Sequence, residues 1–145
     1  MDNNTRIQKA ISYLQKGETS LGWGLLGKKL TSDQLIPFFE ELEWNTTLTE
    51  LDLQLNCMDD RGTIALAHAL QRNTTLTELD ICDNPIGTRG AIALAQSLKM
   101  NTSLKKLDLC NNLVGKDGII ALIQSLVYNT SITRISYWLQ TSSRH

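Results

Sequence analysis

The chain has 145 residues, of which 41% are hydrophobic and 20% are charged. That length accommodates one domain, and that composition excludes an intrinsically disordered chain. The 14 Lys and Arg residues nearly balance the 15 Asp and Glu residues, which argues against a nucleic-acid partner.

The first 16 residues predict an amphipathic helix. Ile7, Ala10, Ile11 and Leu14 are spaced i, i+3, i+4 and i+7, so their side chains share one face. The start, MDNNTRIQKA, lacks the apolar core of a secretory signal, and no later run approaches the roughly 20 apolar residues of a membrane span. With an odd total of three cysteines, these features predict a cytoplasmic protein with reduced thiols and no membrane partner.

Similar segments recur along the rest of the chain. NTTLTELDLQLNCMDDRGTIALAHALQR begins at Asn45, with near copies at Asn73 and Asn101 and a shorter one at Asn129, each 28 residues after the last. A further step back reaches Gly17 and a degenerate copy. The predicted organisation is one domain over residues 1–145, with an N-terminal helix (1–16), a degenerate repeat (17–44), full repeats (45–72, 73–100 and 101–128) and a C-terminal half repeat (129–145).

Each repeat changes its period in the middle. Leu51 and Leu53 alternate with Asp52, which predicts a short strand, whereas Leu66 and Leu70 follow helical spacing. A single strand and helix cannot bury their apolar faces alone, so the repeats must stack on one another. The sequence therefore predicts an α/β solenoid with parallel strands on its concave side and helices on its convex side.

The degenerate repeat and the glycines lead to local expectations. A step of 28 residues places Trp23 and Leu25 in the positions of Leu51 and Leu53, and it places Gly22 beside Glu50. A glycine also opens each helix of the full repeats, where the missing Cβ is expected to let helix and strand approach closely. These glycines are Gly62, Gly90 and Gly118.

The pattern L-x-x-L-x-L-x-x-N-x-L followed by G-x-x-x-L-x-x-x-L resembles the leucine-rich repeats of the ribonuclease-inhibitor-like class, over Gly17 to Gln140. The resemblance implies a short right-handed horseshoe of about five strands that binds another protein on its concave face, without catalysis or a cofactor. Related repeats occur in innate-immune receptors, a Ran GTPase-activating protein and bacterial effectors. A GTPase regulator, a ribonuclease inhibitor and a pathogen effector delivered into a host cytoplasm are therefore alternative functions.

Two sets of asparagines recur with the repeat. In the resembling family, the asparagine after the strand is buried and hydrogen-bonds loop backbone groups that would otherwise be unpaired. Here these residues are Asn56, Asn84 and Asn112, with Lys28 and Gln140 in the outer repeats. The second set begins N-x-[ST] motifs at helix ends, where asparagine tolerates a left-handed conformation. This set, predicted to be structural rather than glycosylated, comprises Asn45, Asn73, Asn101 and Asn129.

The sequence predicts no active site, cofactor site or metal site. Gly22–Gly27 matches G-x-G-x-x-G, but it falls on the predicted strand, whereas a phosphate-binding turn must precede a helix. Cys82 and Cys110 share a position on neighbouring strands, about 4.8 Å apart, where a disulfide or a metal pair is conceivable. Cys57 lies in a different position and His68 lies on a helix, so four metal ligands do not converge.

The residues between the buried leucines are predicted to face the concave surface, because side chains alternate along a strand. Negative charge is expected in the middle of the sheet, and Lys105, Lys106 and Arg134 make its C-terminal end positive. A partner with a basic surface would stabilise adjacent acidic residues, although Asp here is also common in the resembling family. The candidate protein-binding residues are Glu50, Asp52, Gln54, Glu78, Asp80, Cys82, Lys106, Asp108, Cys110, Arg134 and Trp138.

The C-terminal half repeat is expected to leave an open strand edge. Ile132, Ile135 and Tyr137 lie on the last predicted strand, and no helix follows it. Trp138 either faces the concave surface as a binding anchor or folds over this end. The chain is then a truncated form, binds a partner at this edge, or pairs end to end, which predicts a monomer or a weak end-to-end dimer.

Overall fold

The computed structural model of the protein describes residues 1–21 and 29–137. Five helices and five strands alternate within these ranges. No helix in the same two ranges has the length and apolar character needed to cross a membrane. In chain order the elements are α1 (Asn3–Gln15), β1 (Ser20–Leu21), α2 (Ser32–Trp44), β2 (Glu50–Asp52), α3 (Asp60–Arg72), β3 (Glu78–Asp80), α4 (Thr88–Met100), β4 (Lys106–Asp108), α5 (Gly115–Ser125) and β5 (Arg134–Ser136).

The strands form one parallel sheet in the order β1-β2-β3-β4-β5. Leu51 pairs with Leu79, Leu79 with Leu107, and Leu107 with Ile135, so each strand contributes the same position to the core. The helices pack against one another along the other side of this core. At its N-terminal end, α1 covers the core with Ile7. These features confirm the prediction of an α/β solenoid with a five-stranded parallel sheet.

The first repeat departs from the predicted register. Ser20 pairs with Glu50, and Leu21 pairs with Leu51. The expectation that Trp23 takes the position of Leu51 is therefore wrong by two residues, and Ser20 rather than Gly22 lies beside Glu50. The whole G-x-G-x-x-G segment and the following Lys28 lie outside the described residues.

A tighter turn before β1 accounts for this shift. Leu21 follows Leu14 by seven residues, whereas Leu51 follows Leu42 by nine. Gly17 lies in the shorter connection and has a φ of 84°, a conformation that side chains with a Cβ rarely adopt. The 28-residue spacing could not reveal this change. The helix residues Leu14 and Leu42 keep that spacing, and only the strand residue Leu21 departs from it.

The glycines at the helix starts allow close contact between neighbouring helices rather than between helix and strand. A Cβ on Gly62 would lie 2.6 Å from Ser32 Oγ at the start of α2, and 2.7 Å from Met58 Cγ. The Gly62 backbone N–H donates a hydrogen bond to the same Ser32 Oγ at 3.0 Å. The predicted close approach is therefore present. The prediction that a strand lies closest was wrong, because the nearest atoms belong to the start of the preceding helix, α2, and to the loop before α3.

The asparagines that follow the strands are buried and connect adjacent repeats. Asn84 shows the arrangement: its Nδ2 donates to the Leu53 carbonyl of the preceding repeat and to its own Ile81 carbonyl, at 3.0 and 3.1 Å. Its Oδ1 accepts a hydrogen bond from the Met58 backbone N–H at 3.1 Å. Asn112 makes the corresponding bonds in its repeat. Asn56 donates to its own Leu53 carbonyl and accepts from the Leu30 backbone N–H.

The asparagines at the helix ends form a second series of bonds between repeats. Asn73 is extended, with a φ of −67° and a ψ of 130°, so the expected left-handed conformation was wrong. Its buried side chain donates to the Leu42 carbonyl at 2.8 Å and accepts from the backbone N–H of Leu76 at 2.8 Å. Asn at this position thus adds a donor to a helix C-terminal carbonyl of the preceding repeat, and it satisfies a backbone N–H of the turn that follows. The equivalent bonds are made by Asn45, Asn101 and Asn129.

Candidate functional site

The concave face of the sheet forms a groove of about 370 Å³. Its side chains alternate with the buried leucines, as the pleat of a strand requires. The charged and polar residues that line it are Ser20, Glu50, Asp52, Glu78, Asp80, Lys106, Asp108 and Arg134.

Three aspartates lie in register across the middle of this groove. Asp52 pairs with Asp80 and Asp80 pairs with Asp108, which puts the three side chains on one face of neighbouring strands, about 4.8 Å apart. We call Asp52, Asp80 and Asp108 the aspartate rank. Like charges at this spacing repel one another.

Burial is the main cause that raises the pKa of Asp80 above its usual range, and the charges of Asp52 and Asp108 raise this pKa further. A hydrogen bond from the backbone N–H of Cys82 to Asp80 Oδ1, at 3.0 Å, acts in the opposite direction. Asp52 Oδ1 accepts the same bond from the N–H of Gln54 at 3.0 Å. Asp52 and Asp80 therefore help to end their strands. The aspartate rank also concentrates negative charge, and none of its three members forms an ion pair within residues 1–21 and 29–137.

A second row of charges runs along the edge of the groove. Glu50 pairs in register with Glu78, Glu78 with Lys106, and Lys106 with Arg134. Lys106 Nζ lies 3.2 Å from Glu78 Oε1, and both side chains are about half exposed, so this ion pair contributes at most about 1 kcal/mol. The row changes from negative at β2 to positive at β5, with Glu78 and Lys106 neutralising each other where the sign changes.

The residues that follow the strands differ in how much surface they offer. Cys82 is only 8% exposed, so its side chain would present little area to a partner on the concave face. Its Sγ accepts a hydrogen bond from the N–H of Cys110 at 3.2 Å. Burial strongly raises the pKa of the Cys82 thiol, so this thiol stays protonated and is a poor nucleophile. Gln54 points back to the aspartate rank, with its Nε2 3.2 Å from Asp52 Oδ2, and Trp138 lies outside the described residues.

Within residues 1–21 and 29–137, no three His, Cys, Asp or Glu side chains converge on a point that could hold a metal ion. His68 lies in a shallow groove between α3 and α4 on the convex side, away from the concave charges. Cys57, Cys82 and Cys110 are free thiols. The charged and polar side chains that line the concave face can take part in electrostatic and hydrogen-bonding recognition.

Known proteins share features of this sequence and of this fold. Residues 45–67, 72–95 and 101–122 match the family model described as Leucine Rich repeat. No curated protein shows a significant match to the sequence. The solved structure of Leiomodin-1 Actin-Binding Site 2 (ABS2) is similar with a TM-score of 0.82, over 92% of this chain and 80% of that chain, at 23% sequence identity, which is a likeness of fold. The chain therefore contains leucine-rich repeats and folds as an α/β leucine-rich-repeat solenoid.

Proposed function

We propose that this protein is a non-catalytic scaffold that binds a partner protein with a basic surface across its concave sheet. The observation that carries this proposal is the aspartate rank. Its members lie side by side, and burial together with the charges of Asp52 and Asp108 raises the pKa of Asp80, although Lys106 lines the same groove. Lysine or arginine side chains of a partner would relieve this repulsion, so binding and charge neutralisation favour each other.

The geometry of the groove supports recognition of an extended or flat surface. Its residues lie on strands whose backbone is fixed by the ladder and by the buried asparagines, so little conformational entropy is lost on binding. The charge row gives the partner a direction. Its basic part would face Glu50 and the aspartate rank, and an acidic or neutral part would face Arg134.

A neutralised variant tests this proposal without removing the strand-ending hydrogen bonds. Asp52→Asn, Asp80→Asn and Asp108→Asn together keep an oxygen acceptor at each position while removing three charges. The matched control replaces three exposed carboxylates elsewhere, with Glu18→Gln, Glu40→Gln and Asp117→Asn, and so has the same net charge.

Fluorescence anisotropy with labelled lysine and glutamate decapeptides then measures binding at low and at physiological salt. We expect the lysine peptide to bind wild type and the control, with affinity falling as salt rises, and to bind the neutralised variant at least tenfold more weakly. The glutamate peptide serves as the reference for non-specific binding. Equal affinity of the lysine peptide for wild type and the neutralised variant at low salt would contradict the proposal.

Capture from a cytosolic lysate with the same three proteins would identify natural partners, as those lost selectively with the neutralised variant. Actin belongs among the first candidates, because one of the similar solved structures is an actin-binding site. We assign the repeats to the ribonuclease-inhibitor-like class on their 28-residue spacing, and we place the protein in the cytoplasm, its own or a host's. Turnover assays with GTPases and with ribonucleases would reveal the alternative activities.

A further inference from the structure

A pocket of about 270 Å³ lies between the C-terminal ends of α1 and α2. Glu41 and Trp44 contribute to it from α2, and Gln15 and Gly17 contribute from the end of α1 and the turn that follows. The pocket shares no residue with the concave groove. We call it the Trp44 pocket.

The Trp44 pocket occupies a position that is filled in the later repeats. Glu41 is equivalent to Ala69, Ser97 and Ser125, and all three of these small residues are buried. Glu41 is exposed, because α1 does not cover this position as the later helices cover it in their repeats. The first repeat therefore has a cavity with a carboxylate where the other repeats have helix packing.

Trp44 already binds one cation of the chain itself. The guanidinium of Arg72, on α3, lies over the indole ring, 5.2 Å from its centroid. Arg72 Nε also lies 3.2 Å from Glu43 Oε1. A planar guanidinium combines stacking on an aromatic face with pairing to a carboxylate, which an ammonium group does less well. Because Glu43 neutralises Arg72, this contact does not repel a second cation strongly.

The second face of the Trp44 ring is open. Trp44 is 68% exposed, and Arg72 approaches it from the side of α3. The other residues of the pocket belong to α1, α2 and the turns that follow them, so the pocket lies on the side of the ring away from α3. Glu41 precedes Trp44 by three residues, which places both side chains on one face of α2.

The charge of Glu41 is not neutralised by the described part of the chain. It forms no ion pair within residues 1–21 and 29–137. It also lies in the last turn of α2, where the negative end of the helix dipole disfavours a carboxylate and favours a cation. Lys16 does not line the pocket, because its Nζ lies over the ring of Tyr13, 6.0 Å from the centroid. The pocket thus combines an aromatic face and a carboxylate without a cation.

From this arrangement we infer that the Trp44 pocket binds an arginine side chain of a partner peptide or protein. The guanidinium stacks on the face of Trp44 opposite Arg72 and pairs with Glu41, in the same way that Arg72 pairs with Glu43. Gln15 and Thr46 also line the pocket and offer acceptors for the remaining N–H donors of the guanidinium. This site does not depend on the function proposed for the concave face.

NMR titration of the isotope-labelled protein with blocked arginine (N-acetyl-arginine methylamide) tests the inference residue by residue. We expect saturable shifts of the Trp44 indole N–H and the Gly17 amide, with a dissociation constant on the order of 1 mM. These signals report on the pocket separately from the amides of the aspartate rank. Blocked citrulline, which has a similar shape and no charge, should give no saturable shift. Blocked lysine should bind at least threefold more weakly than blocked arginine.

Three variants test the roles of the individual side chains. Glu41→Gln should weaken the binding of blocked arginine at least fivefold. Glu40→Gln is the matched control, because it removes the same charge from an exposed neighbour that does not line the pocket, and it should bind as wild type does. Trp44→Leu removes the aromatic face and should abolish the saturable shift of Gly17. Its spectrum also identifies the Trp44 signal among the three tryptophans, and circular dichroism checks that each variant is folded.

Four results would overturn the inference. The signals of Trp44 and Gly17 could show no saturable shift up to about 20 mM blocked arginine. Equal binding of blocked citrulline would show that charge is not recognised, and equal binding of blocked lysine would show that stacking is not. Equal affinities of Glu41→Gln and Glu40→Gln would show that Glu41 does not pair with the guanidinium.

Discussion

Replacing Asn84 by alanine tests how much a single inter-repeat asparagine contributes to stability. The side chain is buried and makes four hydrogen bonds to the backbone. Its Nδ2 donates to the carbonyls of Leu53, Ile81 and Cys82 at 3.0 to 3.1 Å, and its Oδ1 accepts from the Met58 N–H. The variant Asn84→Ala removes all four bonds at once.

The expected loss of unfolding free energy is smaller than the removal of four hydrogen bonds would suggest. Each of the three carbonyls keeps another donor after the truncation, whereas the fully buried Met58 N–H is left without a partner. An unpaired buried N–H costs about 1–3 kcal/mol, and the weakened carbonyl bonds and the small void add about 1 kcal/mol. We therefore expect the free energy of unfolding to fall by about 3 kcal/mol. The remaining donors are Asn56 Nδ2, Asn112 Nδ2 and the Leu55 N–H.

Urea unfolding followed by circular dichroism measures this change. With a slope of about 2 kcal/mol per molar urea, the midpoint should fall by about 1.5 M while the slope stays the same. Asn4→Ala is the control, because Asn4 is exposed on α1 and should change stability by less than about 0.5 kcal/mol. A loss below about 1 kcal/mol for Asn84→Ala would refute the reasoning, since it would mean that the Met58 N–H finds another partner.

Two further substitutions test the concave charges and the helix packing. Since burial raises the pKa of Asp80 in the folded state above its ordinary value of 3.8, folding favours the protonated carboxyl, and the contribution of Asp80 to stability falls as pH rises above about 3.8. In urea unfolding, Asp80→Asn should therefore be up to about 1 kcal/mol more stable than wild type at pH 7 and equally stable at about pH 3. The control Glu40→Gln changes an exposed carboxylate and should show no such gain at either pH. Gly62→Ala should lower the unfolding free energy by about 2 kcal/mol, because the new Cβ would lie 2.6 Å from Ser32 Oγ; an unchanged midpoint would show that the helices move apart freely.

The concave face and the asparagines affect stability in opposite directions. The asparagines satisfy backbone groups that the repeat interface buries, so they stabilise the solenoid. The aspartate rank places like charges side by side, which destabilises the sheet unless a cation binds. Residues that lower stability are common at functional surfaces. For the same reason, removing the charge of Asp80 is expected to raise stability, and removing all three charges of the aspartate rank is expected to weaken binding.

Much of the fold follows from the order of residue types along the chain. The alternation of Leu51, Asp52 and Leu53 recurs at a fixed interval, and parallel stacking brings equal positions of successive repeats together. For this reason the sequence predicted that Asp52, Asp80 and Asp108 would share one face, and the structure places them in register. Periodicity is a local property, so it can be read without knowing the tertiary contacts.

Features that break the period were decided by the tertiary structure. The strand of the first repeat shifted by two residues, because Gly17 with its positive φ shortens the preceding turn. The helix-end asparagines adopted an extended conformation, because carbonyls of the previous repeat offer partners that sequence-local reasoning does not include.

The sequence by itself determined the repeating unit, the parallel sheet and the sign of charge on its concave face, since these depend on the spacing of side chains within a repeat. Only the tertiary structure decided which atoms neighbouring repeats share. It buried Cys82 and paired Glu78 with Lys106. The physical reason is that burial and hydrogen bonding at a position depend on the repeat beside it.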